Sequence, residues 1–149
     1  MKGANFVMEA AAFGLGAVFA FYVVWYILQV IADWKILSKA GKSGWLSLIP
    51  ILNVYAEYDI CWTGPMGLLY VIIGIVVNFF NGRENSNTIT ILCSILGVVA
   101  FVLHIIQSLK LSRSFGKGVG YAIFLIIFGP LARVILGLGS SEYVGRPKQ

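Results

Sequence analysis

Charged residues are scarce in this chain: Asp, Glu, Lys and Arg make up 11% of its 149 residues, where a soluble domain carries roughly 25%. With 59% of residues hydrophobic and a mean hydropathy of +0.89, a water-soluble fold of this length could not hide its apolar surface. Cysteine is almost as rare. Cys61 and Cys93 lie near or inside apolar runs and read as small buried hydrophobes; with His104 the sole histidine, no zinc or other metal spacing exists. Acidic residues number six against eleven basic ones, for a net charge of +5. The bases fall mostly between apolar runs, which suits anionic lipid head groups. A nucleic-acid partner is excluded, because bases interleaved with aromatics in a polar context do not occur. No polar stretch is long enough for a second domain, so residues 1–149 read as a single membrane domain.

What the chain does have is long runs without charge. Residues 10–32 form a run of 23 between Glu9 and Asp33, and about 20 suffice for a spanning helix. This run exceeds the 7 to 15 residues of a signal-peptide core, so the helix is expected to be retained. Ala10, Gly14 and Ala17 recur within it at helical spacing, a face that either admits another helix closely or meets lipid. Further runs predict helices at about 60–80, 88–109 and 118–138, with a first helix at 10–34. Pro65 starts the second, and Gly129-Pro130 should kink the fourth. Residues 44–50 are too short to span and too apolar for a free loop. With Ile51, Tyr55, Tyr58 and Trp62 on one helical face and Asn53 and Glu57 elsewhere, 45–59 reads as a re-entrant or interfacial amphipathic segment. The expected fold is an all-α integral membrane protein of four transmembrane helices, with a C-terminal tail at 139–149.

Lys35, Lys39, Lys42, Lys110, Arg113 and Lys117 fall in the first and third loops, against Lys2, Arg83, Arg146 and Lys148 opposite. Basic loops stay in the cytoplasm, so both termini are expected outside a bacterial inner membrane. The two basic loops also resemble each other: each reads basic residue, Leu, Ser, basic residue, then Gly-Lys (Gly41-Lys42, Gly116-Lys117) and a Gly-aromatic step, and leads to Pro50 or Pro130. Two helix pairs related by an axis along the membrane normal would follow.

The run Lys39-Ala40-Gly41-Lys42-Ser43-Gly44-Trp45, then Leu48-Ile49-Pro50-Ile51-Leu52-Asn53-Val54-Tyr55, resembles the signature of an uncharacterised bacterial membrane family, domain of unknown function 5684. Phe115-Gly116-Lys117, Leu136-Gly137-Leu138-Gly139 and Tyr143 extend the resemblance over roughly residues 20 to 145. Leu52 and Leu138 stand where the family favours aromatic residues. The resemblance implies a small multi-helix membrane protein and no activity. A signal-peptidase label attached to some members does not transfer, since this chain has no domain for a Ser-Lys pair.

Candidate chemistry is sparse. Gly41-Lys42-Ser43 is not a phosphate loop, because Ile36 stands where that loop needs glycine. The basic residues of the loops, with Trp45, are expected to contact lipid head groups or a partner. His104, Gln107 and Gln29 lie at similar depth toward the inner side, Asn78 and Arg133 toward the outer. Such groups are structural hydrogen-bonding sets or line a polar path. Arg133 either snorkels or pairs with Glu9, Glu84 or Glu142. Glu57 and Asp59 diverge by about 200° on a helix and read as a wet face near Lys39 or Lys42. No catalytic constellation, metal or cofactor is indicated. The leading expectation is a non-enzymatic protein acting by oligomerisation or as an accessory or scaffold subunit, its partners being membrane lipids, a second copy or another membrane protein. A small transporter or channel built from the two repeats is the alternative, and an intramembrane lipid-modifying enzyme the third.

Overall fold

The computed structural model describes residues 2–81 and 86–147; for residues 2–7, 9 and 10 it describes the backbone alone. Among the described residues every regular element is helical. Helix α1 runs Lys2–Lys39, a short 3-10 turn follows at Gly44–Leu48, and α2 (Pro50–Cys61) leads into α3 (Gly64–Phe80). Then come α4 (Asn87–Ser114), α5 (Val119–Ile127) and α6 (Gly129–Leu138). The prolines act as starters: Pro50, Pro65 and Pro130 each occupy the first turn of a helix, where the missing N–H costs nothing.

Two helices, Ala11–Lys39 and Asn87–Ser114, are long and apolar enough to cross a membrane, and only 6% of the apolar window of each is buried. A core helix of a soluble protein would be mostly covered. The packed core sits instead at one end of the molecule, where Ile36, Leu37, Ile60, Leu111, Leu125 and Leu136 meet. The first half of α1 stands clear of it, with Phe13 82% exposed.

The two long helices end in the same way. Gly41 takes φ 73° and Gly116 φ 64°, the left-handed conformation that glycine adopts freely. In the first turn Gly41 N–H donates to Ser38 O (3.0 Å) and Lys42 N–H to Leu37 O (2.9 Å); in the second, Gly116 N–H donates to Arg113 O (3.0 Å) and Lys117 N–H to Ser112 O (2.9 Å). Both are Schellman caps. After each cap the chain runs back along its own long helix, reaches a proline and returns. The first excursion is the 3-10 turn and α2, with Trp45 against Trp34; the second is α5 and α6. Each returning arm packs on the long helix of the other half, α6 on α1 and α2 on α4.

This geometry corrects the expected fourth helix. Residues 118–138 are not one kinked span but an antiparallel pair broken at Phe128. Tyr121 OH donates to Ala132 O at 2.6 Å, whereas eleven residues of straight helix would separate them by about 16 Å. Phe128 leaves the helical conformation at φ −118° and ψ 41°, and Pro130 in the first turn of α6 has no N–H to bond back to α5, so the ladder stops there. The C-terminal tail therefore returns to the basic end: Val144 N–H donates to Ser114 O (2.8 Å) and Tyr143 OH to Ile60 O (2.6 Å). With α1 starting away from the core, Lys2 and Pro147 lie toward opposite ends of the described molecule.

Gly137 is the closest crossing. Its face meets the backbone of Ala32, and an added Cβ would run into the Ala32 carbonyl. Gly137→Ala should cost about 1–3 kcal/mol, read as a lower unfolding midpoint in detergent, whereas Gly14→Ala, which has open space, should leave the midpoint unchanged. Equal midpoints would show that the α1/α6 crossing is looser than described.

Candidate functional site: a buried ionic centre

At the level where the returning arms cross the long helices, charged side chains lie inside the protein. Glu57 is 1% exposed and Asp33 7%, although both elements expose large apolar residues outward. Asn53 and Glu57 are one turn apart on α2, so both point to α1 and α6. Asn53 Nδ2 donates to Asp33 Oδ2 at 2.8 Å, and Arg133 of α6 pairs with Glu57 Oε2 at 2.9 Å.

Arg133 thus neither snorkels nor pairs on the outer side. Glu142 is exposed in the tail, and the side chains of Glu9 and Glu84 lie outside the described residues. Its guanidinium, 27% exposed, borders a cleft of about 320 Å³ formed with Gln29, His104, Ile126, Ile127, Gly129 and Pro130. Gln29 Nε2 donates to Pro130 O at 3.2 Å, fixing the tip of the α5/α6 hairpin against α1. Of the polar residues singled out from sequence, Gln29, His104 and Arg133 come together. Gln107 is buried and its Nε2 has no hydrogen-bond partner among the described residues. Asn78 stands apart, exposed and donating to Gly74 O of its own helix (2.8 Å).

The basic residues divide likewise. Lys39 donates to Leu136 O (2.8 Å) and Gly139 O (2.7 Å), capping the end of α6 as a cation should. Lys42 pairs with Asp59 at 2.7 Å, and Arg146 reaches the same carboxylate at 3.2 Å. The hydrogen bond from Lys42 holds Asp59 below its usual range. Lys110 lies over the Trp62 ring and Lys117 over Tyr121. Lys35, Arg113 and Trp45 are exposed.

Asp33, Asn53 and Glu57 were not singled out by sequence reasoning, which placed Glu57 on a wet face. The signal was available. Asn53 and Glu57 share a face one turn apart on a segment whose other side carries Ile51 and Tyr55. Of the apolar face expected there, Ile51 and Tyr55 are exposed, Tyr58 is buried and Trp62 is half-buried.

Removing one member of a buried pair leaves a bare charge, typically at a cost of about 3–5 kcal/mol. Arg133→Met should therefore destabilise strongly, and Arg133→Met combined with Glu57→Gln should recover part of the loss in a double-mutant cycle by chemical denaturation in detergent. Strict additivity of the two would mean that the pair is not coupled.

No curated protein and no solved structure matches the chain. The Lys39–Tyr55 signature that suggested a family falls outside the stretch recognised by a family model. Over residues 81–146, which hold α4, the α5/α6 hairpin with Arg133, and the Tyr143 tail, the chain matches the model of a family of unknown function, DUF5684.

Proposed function

We propose that the protein is a multi-pass membrane protein of two hairpin-bearing repeats that carries a small ion or polar solute through the centre where the hairpins meet. In this reading α1, α3 and α4 cross the bilayer. At 1.5 Å per residue the apolar parts of α1 and α4 reach about 42 Å and α3 about 25 Å, against a hydrocarbon core of about 30 Å. The arms of the hairpins, roughly 14 to 18 Å where helical, enter from the basic end and turn back near mid-depth. The observation that carries the proposal is the Arg133–Glu57 pair with Asp33, buried at that depth. Ionisable groups inside a membrane mark ion and substrate paths, and broken segments at corresponding places in two repeats mark transporter sites.

Lys35, Lys39, Lys42, Lys110, Arg113, Lys117 and Arg146 share the end where the core lies. By the positive-inside tendency this end faces the cytoplasm, leaving the N-terminus outside and the C-terminus inside. Association remains part of the reading. Among the described elements α1 packs only on the 3-10 turn, α2 and α6, so its exposed first half is available to a second copy or another membrane protein.

Purified protein reconstituted in liposomes should pass small ions, with Glu57→Gln and Arg133→Met reducing flux at least about tenfold; tight liposomes with the wild-type protein in place would defeat the transport reading. A cysteine at Ser140 should react with an impermeant maleimide only after cells are permeabilised. Labelling of intact cells would reverse the sidedness.

A further inference from the structure

We infer that Asp33, Asn53 and Glu57 form a binding site for one alkali-metal cation. Three side-chain oxygens here, Asp33 Oδ1, Asn53 Oδ1 and Glu57 Oε1, are buried and have no hydrogen-bond partner among the described residues. They are carried on side chains linked one to the next: Asn53 donates to Asp33 at 2.8 Å, and Asn53 and Glu57 share a face one turn apart on α2. Asn53 Nδ2 is committed to Asp33 and the Arg133 guanidinium to Glu57, while the buried Tyr58 hydroxyl bonds to none of the three oxygens. Unpaired acceptors at such depth are costly, and three of them in one place ask for a positive charge that accepts several oxygens at once.

Charge and donor type set its identity. Two carboxylates against one guanidinium leave a net charge of −1, which one monovalent cation neutralises and a divalent cation would overshoot. Carboxylate and amide oxygens are hard ligands, suited to hard cations and not to copper, zinc or iron. A single proton between the two carboxyls would also neutralise the centre, but it leaves Asn53 Oδ1 unsatisfied; the proton is a competitor for the same oxygens and not an equal occupant. Arg133 both lines the cleft with Gln29 and His104 and pairs with Glu57, so it links that cleft to the site. Titratable groups facing the pair are Arg133 from α6, Tyr58 and Cys61 from α2 and Tyr70 from α3, with His104 of α4 beside Arg133.

The inference deepens the transport reading and rests on the same centre, but equilibrium binding tests it alone. The full-length protein in detergent is melted in NaCl, KCl or choline chloride at constant ionic strength and several pH values. Na⁺ or K⁺ should raise the unfolding midpoint by about 2 to 8 °C over choline. The half-saturating concentration should rise about tenfold for each unit by which the pH is lowered, once protons compete. Asp33→Asn and Glu57→Gln should abolish the cation effect while Asp59→Asn, on the surface pair with Lys42, keeps it. Should the carboxylate variants not fold, Asn53→Ala and the wild-type salt series decide. Midpoints that follow pH but are identical in all three salts would overturn the cation site in favour of a proton alone. Stronger stabilisation by Ca²⁺ or Mg²⁺ than by Na⁺ or K⁺ would overturn the monovalent assignment. Cation binding without liposome flux would sink the transport reading and leave this site standing; flux with no cation effect on stability would do the reverse.

Discussion

The ion pair between Arg133 and Glu57 joins elements that are distant in sequence, and the arrangement of the two halves depends on it. Arg133 sits on the returning arm of the second hairpin and Glu57 on that of the first, so one contact at 2.9 Å fixes the depth of both arms. Asp33 and Asn53 tie the same point to α1. Since the apolar parts of α1 and α4 are only 6% buried, hydrophobic burial alone offers these helices little preference for one register. In an apolar solvent apolar surfaces no longer drive helices together, and polar contacts and close packing must position them. The centre supplies the first and the Gly137 crossing against Ala32 the second.

The duplicated turn shows how a short chain builds such a centre. A glycine in the left-handed conformation, followed by lysine, ends each long helix with the same two hydrogen bonds. The chain then folds back alongside the helix it has left, and a proline starts the return. Proline three residues before Asn53 in one half and three residues before Arg133 in the other places both polar side chains near the start of a returning arm. The halves differ in detail, a 3-10 turn against a nine-residue helix for the inward arm, so the residues that meet are not copies. One half contributes the carboxylates and the amide; the other contributes the guanidinium.

Much of the frame was legible in the sequence. Residues 10–32 and 88–109 announce apolar helices by length alone, and the structure extends them to Lys39 and Ser114 because the glycines that stop them lie beyond the charges. The repeat was visible in Gly41-Lys42 and Gly116-Lys117. What misled was hydropathy at residues 118–138, long enough to span yet split by Gly129-Pro130. A window average cannot distinguish one helix of twenty residues from two of ten, and the difference moved the tail from one end of the molecule to the other. Glu57 misled for a related reason. The usual expectation that a charged face is wet assumes water outside, and on α2 the sides are exchanged.

Turning the chain back has its own cost, because helix ends carry N–H and C=O groups without intrahelical partners. Pro130 removes one donor at the turn outright, and polar side chains fasten the arms: Gln29 binds the Pro130 carbonyl, Tyr121 the Ala132 carbonyl, and at the far end of α6 Lys39 binds the last carbonyls. These groups are accounted for by the fold, and their presence in an apolar chain needs no further role. Asp33, Asn53 and Glu57 are not used up in this way, since each keeps a buried oxygen that no described donor reaches. Side chains that fasten the hairpin are spent on it, whereas these three acceptors keep the capacity that the proposed cation site draws on.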